Sequence, residues 1–218
     1  MKTTPVSIRL STVALSGDLA VPPDAAGLIL FSHGSGSSRQ SPRNRSVAET
    51  LQAHGFATLL FDLLTEKEDA IYENRFNIDL LTARLIMATR WATGQSSTNG
   101  LAVAYFGAST GAASALKAAA VLGDEIKAVV SRGGRPDLVL DTLAKVTAPV
   151  LLLVGEKDEE VIELNRKALA ELRTEKELVI VPGATHLFEE PGKLAEVAGL
   201  AAGWYEKYLA PKPEKTIR

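Results

Sequence analysis

The residues whose types and spacing could do chemistry begin with Ser109, in Gly107-Ala108-Ser109-Thr110-Gly111. An apolar, β-forming run from Leu101 to Phe106 stops there and becomes, without an intervening loop, an alanine-rich run that favours helix up to Gly123. Strand, very tight turn and helix follow one another. Such a turn forces Ser109 into a strained backbone conformation, and the glycines at 107 and 111 remove side chains that would collide as strand and helix close. The hydroxyl is lifted clear of the sheet, close to the amides that open the helix, where a developing negative charge is stabilised.

A serine hydroxyl attacks a carbonyl only if a base removes its proton, and a third group must hold that base in the right tautomer. The chain has three histidines. His54 precedes Gly55 at a helix end and reads as a cap or surface group. His33 belongs to the loop His33-Gly34-Ser35-Gly36, where a hydrogen-bonding role in the loop is expected, at the edge that substrate would touch. His186, in Gly183-Ala184-Thr185-His186 after the last strand, is the best base. For the orienting acid, Asp158 follows an apolar strand after Gly155-Glu156-Lys157, with Glu156, Glu159 and Glu160 as rivals that could equally be helix-start charges. The order serine, acid, histidine is one of the known chain orders for such a triad.

The elements that position these residues alternate between apolar strands and amphipathic helices. Residues 6–10 and 13–21 read as an opening antiparallel hairpin, with a bend at Ser16-Gly17. Strands follow at 27–31, 56–61, 101–106, 126–130, 149–154 and 177–181, and helices at 43–54, 78–91, 110–122, 137–144, 160–172 and 192–208. Asp137 is expected to cap the fourth helix, and Glu66 to Asp69 to be a solvated charged run. Strands alternating with helices mean parallel β-α-β units with helices on both faces, so the fold class is α/β with a mostly parallel, doubly wound sheet. Ligands of such sheets bind beyond the carboxyl ends of the strands, and the motif-bearing loops all lie there. A single domain over 1–210 is expected, with a mobile tail over 211–218.

Composition excludes several classes. The net charge is −2, from 24 basic and 26 acidic residues, with no long run of one sign, so neither nucleic acid nor an anionic membrane is called for. Without cysteine there is no disulfide, thiolate metal site or cysteine nucleophile. No metal-ligand cluster or cofactor is expected. The G-x-G-x-x-G and G-x-x-x-x-G-K spacings of nucleotide loops are missing. With no secretory pattern and no span long enough for a bilayer, a cytoplasmic protein is expected.

Taken together, His33-Gly34-Ser35-Gly36, Gly107-Ala108-Ser109-Thr110-Gly111, Gly155-Glu156-Lys157-Asp158 and Gly183-Ala184-Thr185-His186 resemble the α/β-hydrolases, and among them the dienelactone hydrolase-like group. The likeness runs from about residue 6 to 209. It implies Ser109 as nucleophile, Asp158 as acid, His186 as base, and the backbone N–H groups of Thr110 and Ser35 as oxyanion donors. One departure is that dienelactone hydrolase itself uses cysteine as nucleophile. The implied activity is hydrolysis of small soluble carboxylic esters or lactones through an acyl-enzyme. A thioesterase or acyltransferase would use the same triad, and a non-catalytic binding protein could share the fold.

Arg132 and Arg135 flank Gly133-Gly134, and Arg39, Arg43 and Arg45 follow the loop at 33–38. Arginines at a pocket mouth suit a carboxylate or phosphate on the substrate, whereas an internal salt bridge would make Arg132 a loop brace. Arg132, His33 and Gly34 are the expected substrate contacts. The short span after the sixth strand leaves no room for a large helical lid, although residues 63–76 could form a partial rim. The partner expected is a small, possibly anionic, ester, and the protein itself is expected as a monomer or homodimer.

Overall fold

The computed structural model describes residues 2–11 and 13–209; the expected tail at 211–218 lies outside them. Eight strands form one sheet: β1 (Thr4–Arg9), β2 (Ala14–Ala20), β3 (Leu28–Ser32), β4 (Ala57–Phe61), β5 (Val103–Ala108), β6 (Ile126–Arg132), β7 (Val150–Gly155) and β8 (Lys176–Val181). Their order is β1-β2-β4-β3-β5-β6-β7-β8. β1 and β2 pair antiparallel, β2 joins β4 antiparallel, and β3 to β8 are parallel. This is the α/β-hydrolase arrangement expected from the sequence, without a large lid.

Among the described residues seven α-helices complete it: α1 (Pro42–Ala53), α2 (Glu66–Asp69), α3 (Ile78–Thr93), α4 (Thr110–Leu122), α5 (Leu140–Leu143), α6 (Glu159–Glu171) and α7 (Lys193–Leu209). The central strands are apolar throughout because both faces are covered. Side chains alternate between the faces. Ile29, Phe31, Ala104, Phe106, Ala128, Val130, Leu151 and Leu153 meet α1 and α7 in one core. Leu28, Leu30, Val103, Tyr105, Val129, Val150 and Leu152 meet α3, α4 and α6 in the other. β4 and β5 flank β3 on opposite sides, so the crossover direction reverses there, and the carboxyl ends of β3 and β5 open a crevice.

Four local expectations are corrected. Ser16 and Gly17 do not bend the chain; they lie inside β2, opposite Ser7 and Val6, while Leu10 N–H bonds the Val13 carbonyl between the two strands of the expected hairpin. Ser131 and Arg132 extend β6 rather than starting a loop, since the β7 ladder continues to Arg132↔Leu153. Asp137 does not cap a helix: its carboxylate is held by Arg135 at 2.8 Å, and Pro136 instead opens a 3-10 turn over Pro136–Val139 that leads into α5. The charged run after β4 folds into α2, because Thr65 and Glu68 form a reciprocal capping box and Glu68 also binds Arg84 at 2.5 Å.

Candidate active site

Ser109 follows β5 directly and precedes the first turn of α4, with φ 51° and ψ −124°. A non-glycine residue with this backbone costs on the order of 1–3 kcal/mol and persists only when its surroundings over-determine it. They do here. Ser109 N–H donates to the Arg132 carbonyl on β6, and its own carbonyl accepts from Arg135 N–H. Behind the turn, Gly111 lies so close to β3 that a Cβ would come within 2.1 Å of the Ser32 carbonyl oxygen. Ser32 and Ser114 share a 2.7 Å hydrogen bond, and Ser114 also donates to the Gly111 carbonyl. The strain is thus held by a buried brace on one side and a backbone clamp on the other.

His186 and Asp158 come from the two strands farthest from the hairpin. Asp158 occupies the position before α6 but makes no capping bond; its Oδ2 lies 2.6 Å from His186 Nδ1. That bond fixes the imidazole with Nδ1 toward the acid. Backbone bonds tie the two loops together, Lys157 N–H to the Ala184 carbonyl and Glu156 N–H to the Val181 carbonyl, while the Glu156 carboxylate accepts Gly183 N–H at 2.7 Å. Of the acids considered for Asp158's place, Glu156 is spent on this loop tie. Glu190 accepts Thr185 N–H, which holds its carboxyl below the usual range. Phe188, fully buried with φ 58°, anchors the segment just after His186.

Ser109 and His186 line one recess of about 250 Å³, together with Gly34, Ser35, Asn44 and Arg132. A Cβ on Gly133 would sit 3.4 Å from both Nδ1 and Cε1 of His186, so the imidazole rests on the end of β6, beside the residue that clamps Ser109. Ser109 Oγ and His186 Nε2 form no hydrogen bond with each other. Free enzymes often carry such contacts loose, closing them on substrate.

The loop after β3 behaves differently at each residue. Gly34 packs directly on the turn, where a Cβ would be 3.0 Å from Ser109 Cβ. Ser35 N–H donates to Thr110 Oγ1 at 2.9 Å, so that amide is occupied, whereas Thr110 N–H is among the unpaired amides that open any helix. His33 does not line the recess, contrary to its expected place among the substrate contacts. Its Nε2 accepts Leu63 N–H at 3.1 Å and its Nδ1 donates to the Gly34 carbonyl at 3.0 Å, stapling the β3 and β4 loops. Burial pushes its pKa down, which keeps the ring neutral for this staple. His54 pairs with Glu206 on the surface, 2.8 Å away.

The arginines divide as sharply. Arg39 pairs with Asp62, Arg43 with Glu189, Arg45 with Asp18 at 3.8 Å and Arg135 with Asp137. Arg132 pairs with no carboxylate among the described residues, and the expected alternative of a loop-bracing salt bridge is not seen. Sequence reasoning missed Asn44, whose Oδ1 lies 3.4 Å from Arg132 Nη2, and Asn165, whose amide holds the Gly134 carbonyl at 3.0 Å. Neither carries a motif; both read as ordinary polar helix residues until the strands place them.

No helix of the described residues is long and apolar enough to cross a membrane. A family model, the dienelactone hydrolase family, matches residues 16–209. A crystal structure of dienelactone hydrolase from Anabaena variabilis superposes with a TM-score of 0.92 at 53% identity, covering 95% of this chain and 98% of that one. Est1E from Butyrivibrio proteoclasticus shares the fold, with a TM-score of 0.80 at 20% identity over 93% of this chain and 98% of that one. Two curated proteins of Mycobacterium tuberculosis, each named "Putative phosphoribosyl transferase", are 53% identical over 204 residues, 94% of this chain and 46% of theirs. The chain therefore spans about half the length of the curated relatives it matches.

Proposed function

This chain belongs to the dienelactone hydrolase family, and on that premise we propose that it is a serine hydrolase of small carboxylic esters or lactones. The observation that carries the reading is a strained, buttressed Ser109 in the same recess as an imidazole whose far nitrogen is bound by Asp158. Ser109 Oγ attacks the carbonyl carbon while its proton passes to His186 Nε2. The Oγ–acyl bond forms, the ester C–O bond breaks, and the imidazolium returns the proton to the departing alkoxide. Water then repeats the sequence against the acyl-enzyme, leaving a carboxylic acid and free Ser109. Asp158 orients the ring and stabilises its positive charge in both halves.

Thr110 N–H and Ser35 N–H stabilise the oxyanion, each donor of this kind being worth about 10²–10³ in rate. The Thr110 hydroxyl holds the Ser35 amide in the free protein, so a substrate oxyanion would have to displace that hydroxyl to use it. Nucleophile, base and acid are all side chains, so the reaction asks for no cofactor. We place it in the cytoplasm. The transferase name belongs to proteins of which this chain covers 46%, and it is not carried over to this chain.

A fluorophosphonate probe tests the reading directly. The folded protein should be labelled stoichiometrically at Ser109, and Ser109→Ala should not be labelled. An unlabelled wild-type protein that also leaves p-nitrophenyl acetate intact would refute it and favour a binding protein.

A further inference from the structure

Arg132 is the buried charge that the proposed hydrolysis does not use. Alternation along β6 turns Ala128, Val130 and Arg132 toward the face covered by α1, and the guanidinium ends beside Asn44 in the first turn of that helix. Only 7% of the residue is exposed. Its Nε and Nη1 are buried and bind no other group among the described residues, and its one polar contact is the long one to Asn44. Burial pushes its pKa down to about 10, and the neighbouring Arg43 adds to the shift. An uncompensated buried cation is costly, so its retention beside the nucleophile calls for a counter-charge that arrives from outside.

The surroundings say which kind. α1 is twelve residues long, begins at Pro42, has no acidic residue in its first turn, and starts at the same recess through Ser41, Arg43 and Asn44. Its N-terminus contributes roughly half a positive charge. Arg43 is drawn off in part by Glu189, which is itself 60% exposed. Ser41 Oγ accepts Asn44 N–H, which leaves its hydroxyl proton free to donate, and Ser37 supplies a second hydroxyl. The recess thus offers roughly one and a half positive charges and donors from several directions. A carboxylate has one charge and two oxygens in a plane; a phosphate monoester has about −1.5 to −2 and three oxygens on a pyramid.

We propose that this recess binds a phosphate group, and that the substrate is an ester or lactone carrying a phosphate monoester seated on Arg132 and the start of α1. Location next to the reacting carbonyl rests on the reading of Ser109 as nucleophile; the anion site itself does not. Calorimetry with inorganic phosphate at constant ionic strength separates the two. Wild type and Ser109→Ala should each bind one phosphate per chain, more tightly than acetate. Arg132→Gln should weaken binding at least tenfold, with Arg132→Lys intermediate. Phosphate should also inhibit hydrolysis of p-nitrophenyl acetate competitively.

No phosphate binding by wild type and Ser109→Ala would overturn the proposal, as would acetate binding more tightly than phosphate, or a folded Arg132→Gln that binds as wild type does. Should Arg132→Gln fail to fold, the phosphate-against-acetate comparison on the unaltered protein still decides. Phosphate binding to a protein that never hydrolyses an ester would sustain the site and sink the hydrolase.

Discussion

Asp158→Asn isolates the charge behind the imidazole without altering the shape of the loop. The carboxylate makes no helix cap, so its loss leaves α6 without a new unsatisfied amide, and Asp158 N–H still bonds to the Gly155 carbonyl. Two effects remain. In the transition state the ring is an imidazolium 2.6 Å from Oδ2. Unit charges about 4 Å apart interact by about 4 kcal/mol at an effective dielectric of 20. The His186 side chain is 39% exposed and that of Asp158 16%, so solvent reduces this to about 2–4 kcal/mol. That alone slows the chemical step by roughly 30- to 10³-fold.

An asparagine can also present its amide N–H to Nδ1, stabilising the tautomer that cannot take the serine proton, a fault worth up to about 10⁴ where the same substitution has been made in a serine protease. Steady-state hydrolysis of p-nitrophenyl acetate should therefore show kcat reduced by about 10²–10⁴ with KM little changed. Circular dichroism melting should show a transition close to wild type. A folded Asp158→Asn within threefold of wild-type kcat would refute the orienting role and return Glu159 or Glu160 to consideration.

Gly111→Ala should be damaging out of proportion to one methyl group. The added Cβ would lie 2.1 Å from the Ser32 carbonyl and 2.5 Å from the His33 carbonyl, both main-chain atoms that cannot rotate away. A fall in Tm of about 2–12 °C is expected from the 1–3 kcal/mol of overpacking, with hydrolysis lost; a wild-type melt and kcat would contradict the close-approach account. For His33, burial holds the folded pKa below the ordinary 6.5. The unfolded chain takes up a proton near that value and the folded chain does not, so this contribution to stability is complete above it and drains away as pH falls toward the folded value. Tm measured from pH 7 down to 5 should decline for wild type and be flatter for His33→Gln; parallel slopes would rule out the staple.

The sheet and the strand–turn–helix at Ser109 were legible because their signals are local: an unbroken apolar run, two glycines and an alanine-rich continuation. The loop motifs that bear Asp158 and His186 were legible for a related reason, since each follows directly from a strand end. What the sequence hid depends on contacts between distant segments. Whether Arg132 is a loop brace or an unpaired charge turns on whether an acid lies within reach, and no spacing rule tells that. Alternation along β6 could have aimed it at the α1 face, had the strand been extended two residues. The hydrogen-bonding role expected of His33 was legible, but not its partners: both ring nitrogens are taken by backbone groups, one of them thirty positions away. Thr65 and Glu68 did carry a readable signal, the capping box, which the surrounding charges concealed.

One rung of the β5–β6 ladder has a wider reach. The main chain of Arg132 grips Ser109 while its side chain lies beside Asn44 of α1. Ser109 and Arg132 are therefore mounted on a common rigid frame, and loop movement cannot change the spacing between their backbones. A ligand that bridges the two would have its length gauged by the pleat itself. Changes at the start of α1 could retune which acid group is welcomed while leaving the bond-breaking machinery where it stands.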